Sequence, residues 1–289
     1  MRIVTAGAGG GNDFVARIIA QGIAAPLGQQ FIVDNRTTAV SAGEITAKAV
    51  PDGYTLLYYG SNIWLLPFFR SNLPYDPVRD FAPVILAVSS PNLVVVHPSL
   101  PVSTIKELVA LARAQPGALN YASGTIGAST HLGAELFRIT TGINIVHVPY
   151  KSGSSQIPDL LSGRVHVAFS PAASVASYVK SGKLRALAVT SSRQSALAPN
   201  LPTVAASGLP GYESMATQGV FATARTPSTI INLLNQEILR LLSQPDIREK
   251  LLNSGVEAVG GTPEQFGATV QSEMVRLGKV IKDAGLREQ

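Results

Sequence analysis

The stretch "VTAGAGGGND", residues 4–13, places Gly7, Gly9, Gly10 and Gly11 between a short apolar run and a helix-like segment beginning near Phe14. The first amides of a helix have no partner within it and lie at the positive end of its dipole. Strand, glycine-rich loop and helix in this order therefore form a seat for a carboxylate or a phosphate. A second stretch, "NYASGTIGASTHLGAELF" at 120–137, has the same build. Anion capture by backbone amides at two helix starts is the chemistry these residues favour.

Rival chemistries fit less well. Gly7 and Gly9 supply the G-x-G of a dinucleotide loop, with Asp34 at the end of the next strand as ribose partner, but Asn12 stands at the third glycine position. No Lys-Ser or Lys-Thr follows the glycines, which excludes a P-loop, and no G-x-S-x-G is present. Ser129 and His131 are near neighbours at a helix start, an arrangement unlike that of a nucleophile and its base. His97, His131, His147 and His166 lack H-E-x-x-H spacing and acidic neighbours in register, so no metal site, cofactor or catalytic residue is expected.

Several single residues carry two readings each. His131 either ties its loop by a hydrogen bond or touches a ligand, and Asp13 either answers the helix dipole or does the same. His147 and His166 read as half-buried sheet residues. Tyr150, between a strand and a Gly/Ser turn, either lines a cleft or packs over the sheet, and Trp64 is core or an aromatic platform.

The elements that must position these residues alternate. "RIVTA", "FIVDN", "YTLLYY", "NIVHVPY", "VHVAFS" and "RALAVTS" are β-branched or aromatic runs separated by amphipathic stretches such as 14–25 and 41–49. That is the pattern of βαβ units and a largely parallel sheet. Thr104 with Glu107, and Thr262 with Gln265, mark two helix starts; the stripe Phe266, Val270, Met274, Leu277 and Ile281 is core.

With 289 residues, 46% of them hydrophobic, the chain has the size for two lobes. Its net charge of +5 comes from scattered Lys and Arg, which suits mild attraction of anions rather than nucleic-acid binding. Zero cysteines exclude disulfides and thiolate metal sites. "LVVV" and "WLLPFF" are too short to span a membrane. No secretory signal follows Met1, so the expectation is either a cytoplasmic protein or a mature form with its signal removed.

Several segments together, in order and nearly end to end, resemble the Bug-type extracytoplasmic solute receptors of tripartite tricarboxylate transporters. They are "AGAGGGNDFVAR", "FIVDNR", "KAVPDGYTLLYYG", "LPYDPVRDFAPV", "YASGTIGASTHLGAELF", "HVPYKSG", "GKLRALAVTSSR", "PNLPTVAASGLPGYE" and "TPEQF". The resemblance implies an α/β, two-lobed periplasmic-binding-protein architecture (type II, Venus-flytrap), with 1–97 and 222–289 in lobe 1 and 98–221 in lobe 2. It implies a non-catalytic periplasmic receptor, its signal peptide absent from this sequence; a monomer is the default expectation. Such a receptor holds a small organic acid between its lobes and hands it to the transporter's membrane subunits. Two other readings remain open at this point: a sensor-type binding protein serving a signalling receptor, and a nucleotide-dependent oxidoreductase.

Carried over residue by residue, the ligand-binding set is Ala6, Ala8, Gly9, Gly10, Gly11, Asn12 and Asp13 in the first loop and Ser123, Thr125, Gly127, Ala128, Ser129 and His131 in the second. Ser61, Tyr150 and Ser170 complete it. The chain departs from the family pattern at Ala6 and Ala8, where an aromatic and a proline are usual, and at Asn12, usually Ser or Thr. Thr37–Ser41 replace a Gly-Ala-Gly run, Thr125 a glycine and Ala128 a Ser or Thr. The expected grip is therefore mainly backbone amide, with no obligatory arginine.

Overall fold

Ile3 and Val4 make β1 (Arg2–Thr5), and the glycines that follow release the chain into α1 (Gly11–Ala24), whose apolar face is Val15, Ala16, Ile19, Ala20 and Ile23. The computed structural model describes residues 1–150, 152 and 154–286. Two units divide the chain: Met1–Ser89 with Thr217–Lys279, and Ser90–Ala216 with Val280–Leu286.

The first unit continues through β2 (Ile32–Asn35), α2 (Ala39–Ala47), β3 (Thr55–Gly60), the short α3 (Asn62–Leu65) and the opening part of β4 (Phe81–Val96). β1 lies between β2 and β3, parallel to both, with Arg2 opposite Ile32 and Thr55.

The second unit takes the rest of β4, then α4 (Ile105–Ala114), β5 (Asn120–Ser123), α5 (Ser129–Thr141), β6 (Val146–Pro149), α6 (Ile157–Leu161), β7 (Val167–Pro171), α7 (Ala172–Lys180) and β8 (Arg185–Val189). β5 lies between β6 and β7, parallel to both, and β4 runs antiparallel to β7 and β8. Its core gathers Val94, Val96, Leu108, Tyr121, Phe137 and Phe169.

The chain returns to the first unit along β9 (Met215–Thr223), then α8 (Ser228–Leu242), α9 (Pro245–Asn253), β10 (Glu257–Ala258) and α10 (Pro263–Asp283). β9 pairs antiparallel with β3, Leu57 opposite Phe221, and β10 pairs antiparallel with β4. α8 closes the core over α1 at short range: a Cβ on Gly22 would stand 2.3 Å from Leu241 Cδ1.

Each unit thus has three parallel strands in the order second-first-third, the doubly wound pattern. The antiparallel β4 and β9 are not foreseen by the alternation of segments, which carries no strand direction. The units part inside these two strands, at Ser89/Ser90 and Ala216/Thr217; the expected bounds 97/98 and 221/222 fall just past the end of β4 and inside β9. Ser89, Ser90 and Asn92 in β4 and Thr217 and Gln218 in β9 are polar positions at these boundaries, but they lie within continuous strands rather than in a loop. Trp64 is core: it is fully buried, edge-on to Phe221 and Phe266, and its indole N–H donates to Glu273 at 3.0 Å.

Candidate functional site

All the candidate residues lie at the carboxyl ends of parallel strands, where doubly wound sheets bind ligands. In the first unit Ala6–Asp13 join β1 to α1, and Ser61 follows β3, its amide donating to Thr217 O at 3.1 Å. In the second unit Ser123–His131 join β5 to α5, Tyr150 follows β6, and Ser170 is the penultimate residue of β7. Lys151 and Gly153 of the "HVPYKSG" segment lie outside the described residues.

The two glycine-rich junctions are built alike. Gly9 and Gly127 have φ near +80° and precede the N-cap residues Gly10 and Ala128. Side chains rarely accept that conformation, so here the glycine is required by the turn itself. In each case the glycine amide donates to the third residue of the helix: Gly9 to Asp13 Oδ2 at 2.9 Å, Gly127 to His131 Nδ1 at 3.1 Å. The amides of Gly9 and Gly127 are thus taken, contrary to the expectation that the glycines present theirs to a ligand. The following amides stay open. Neither helix has a side-chain cap, and no acceptor among the described residues stands against the amides of Gly10, Gly11, Asn12 and Asp13, or of Ser129, Thr130 and His131.

Asp13 belongs to the frame. It is buried, and besides Gly9 its carboxylate accepts from Asn35 Nδ2 at 2.8 Å and pairs with Arg17 at 3.0 Å. Arg17, then the Gly9 amide and Asn35, bring its pKa down to about 2. Asn35 also donates to Ala6 O at 2.7 Å, fixing the loop from the neighbouring strand. Asp34, the ribose candidate, pairs instead with Arg36 at 2.7 Å.

His131 props its own loop. Its ring is buried and stacks on His147, which stacks in turn on Tyr121. Burial, then the neighbouring His147, lowers the His131 pKa to about 4, and burial also holds His147 below the usual histidine range. Tyr121 donates its hydroxyl to Glu135. Against its burial, Glu135 is held below the usual carboxylate range by Arg138, at 2.7 Å, and by Tyr121.

The hydroxyls expected to meet a ligand are largely engaged. Ser123 is fully buried and bonds His147 Nε2 at 2.8 Å; Ser170, also fully buried, accepts from Gln156 Nε2 at 2.7 Å. Tyr150 donates to Asp159 at 2.7 Å, and burial, with Asp159 beside it, pushes its pKa up to about 12. Ser129 stays partly exposed, with a long 3.4 Å contact from Asn92. Ala6, Ala8 and Gly9–Gly11 are partly or fully exposed, as are Asn12, Ser61, Thr125, Gly127 and Ala128.

Three supporting residues went unread. Asn35 sits in the recognised "DNR" but its role depends on strand pairing. Thr130 accepts the Gly124 amide at 3.0 Å, and Asn92, buried, ends the Ser-Ser-Pro-Asn break in the otherwise apolar β4. That break is the signal in the sequence for Asn92.

Among the described residues no helix is long and apolar enough to cross a membrane, and no group of three or more His, Cys, Asp or Glu could hold a metal. The model of the tripartite tricarboxylate transporter family receptor matches residues 15–286. Protein BugT of Bordetella pertussis is 33% identical over 287 residues, covering 96% of this chain and 87% of BugT. Rpa4515 of R. palustris, solved with adipate, is 35% identical with a TM-score of 0.79, covering 99% of this chain and 98% of that one. MatC from Rhodopseudomonas palustris, solved with bound malate, is 27% identical with a TM-score of 0.75, covering 97% and 99%.

Proposed function

The chain belongs to the tripartite tricarboxylate transporter family receptors, the Bug-type solute-binding proteins, and on that premise we propose that it captures a small organic acid. The acid is then delivered to the membrane subunits of a transporter. The family consists of solute-binding receptors rather than enzymes, and its members are periplasmic binding proteins, which supports a periplasmic location for this chain; a monomer is the default proposal.

The observation that carries the reading is the pair of open helix starts, Gly10–Asp13 and Ser129–His131, each at a strand's carboxyl end. A carboxylate there accepts charge-assisted bonds worth roughly 1.5–3 kcal/mol each. Whichever conformation of the chain binds the acid best gains in population, and that preference is the signal a transporter reads. The adipate and malate held by the solved relatives are acids of the class proposed.

Thermal-shift screening tests the assignment. Organic acids are expected to raise the melting temperature while NAD and ATP leave it unchanged; stabilisation by the nucleotides alone overturns it.

A further inference from the structure

Asn92 is only 2% exposed, inside the second unit's stretch of β4. Thr190 holds its backbone in both directions: the Asn92 amide donates to Thr190 Oγ1 at 2.8 Å, and the Thr190 amide donates to Asn92 O at 2.9 Å. Thr190 is fully buried and its hydroxyl also reaches Ser214 O at 2.6 Å, while the Ser214 hydroxyl donates to Ser129 O at 3.2 Å. Strand, loop and helix start are thus tied into one frame, but the carboxamide that the frame carries is not satisfied. Its Nδ2 reaches only Ser129 Oγ, at 3.4 Å, and among the described residues nothing donates to its Oδ1. Buried side-chain amides ordinarily have both ends paired. This one is aimed at the first residue of α5, whose amide is open and whose hydroxyl proton has no acceptor among the described residues.

We propose that Asn92 reads the carbon next to a bound carboxylate and selects acids that carry a hydroxyl there over the same acids without it. The inference rests on the reading that the open amides of Ser129, Thr130 and His131 hold a carboxylate, and every residue it uses belongs to the second unit. Ser129 bears both an open amide and the hydroxyl that Asn92 approaches, so a carboxylate on these amides brings its adjacent carbon past Asn92. A carboxamide offers a donor and an acceptor side by side, and a hydroxyl answers both. An ammonium group would satisfy Oδ1 but stand at the positive end of the α5 dipole, against a row of N–H groups. An unsubstituted acid displaces water from the carboxamide and gives it no partner, the situation in which a polar site discriminates most strongly.

Calorimetric titration of the intact protein with matched acids tests this: lactate against propionate, malate against succinate, 2-hydroxyglutarate against glutarate. In every pair that binds, one enantiomer of the hydroxy acid is expected to be at least about tenfold tighter than its unsubstituted partner. Asn92→Leu, close in shape but without polar atoms, should bring that ratio toward one by weakening the hydroxy acid alone, and Asn92→Ala should do the same; the backbone bonds to Thr190 remain in both. Equal or weaker binding of the hydroxy acids by the unaltered protein overturns the inference. So does a ratio unmoved in the variants, or a loss of both members of a pair alike, the mark of a merely structural side chain. Each of these results leaves the receptor reading standing, as does silence from all six acids while other organic acids still raise the melting temperature, which overturns the inference alone. Failure of every organic acid to bind or stabilise overturns both.

Discussion

The amide of Gly127 is tied to Nδ1 of His131, four residues further on. An accepting ring nitrogen carries no proton, so the bond fixes His131 as the tautomer protonated at Nε2. Asp13 performs the same task for Gly9 with a carboxylate. One unit thus holds its loop with a carboxylate that stays charged down to about pH 2 and the other with a neutral imidazole that takes up a proton near pH 4, and the two loops should differ in their response to acid.

For His131 the unfolded value is near 6.5 and the folded value about 4. The unfolded chain binds more protons between these limits, so this contribution is complete above pH 6.5 and is lost as pH falls toward 4, by about 3 kcal/mol. His131→Gln keeps an acceptor but cannot titrate. Melting temperature against pH should fall less steeply in this variant, with a residual slope from His147.

Asp13 works lower down. With its pKa brought to about 2 from 3.8, its stabilisation is complete above pH 4 and disappears as pH drops through that interval. Asp13→Asn should cost about 2 kcal/mol at neutral pH, the value of hydrogen bonds to a charged group, and the difference from the parent should close in acid. Urea titrations at pH 7 and pH 2.5 measure both.

A Cβ on Gly9 would meet nothing within 4 Å, so only its φ of +80° opposes a side chain. Gly9→Ala should cost about 1–2 kcal/mol, and Gly9→Asn less, because Asn enters this region more readily. Equal losses in denaturant melts would contradict the assignment of strain to the backbone.

Gly10 has φ of −87°, which any residue adopts, and its Cβ would meet only Gly7 O at 3.5 Å. Gly10→Val should therefore fold, with a penalty near 1 kcal/mol for a poor N-cap, yet crowd the open amides and abolish acid binding in calorimetry.

The sequence made the repeated strand–loop–helix units legible because alternation of β-branched runs with amphipathic stretches is local. The capping pairs Thr104–Glu107 and Thr262–Gln265 form as their spacing requires. The glycine loops were found for the same reason, but the role of each amide was not. Whether Gly9 faces a ligand or Asp13 depends on Asn35 and Arg17, which reach it from the next strand and the next turn. Ser123 and Ser170 look like ligand hydroxyls in one dimension. In three they are interior groups satisfied by His147 and Gln156.

β4 and β9 carry the chain out of the first unit and back again, and this sets an order of assembly. The second unit can close its core from nearly continuous sequence, whereas Tyr58 must wait for Gln218, 160 residues later, before β3 gains its antiparallel neighbour. Such long-range closure is slow, so during synthesis or refolding the inserted half gains its shape first and the half holding the amino terminus last. A chain cut short before β9 would leave the flank of β3 bare, an open template for aggregation.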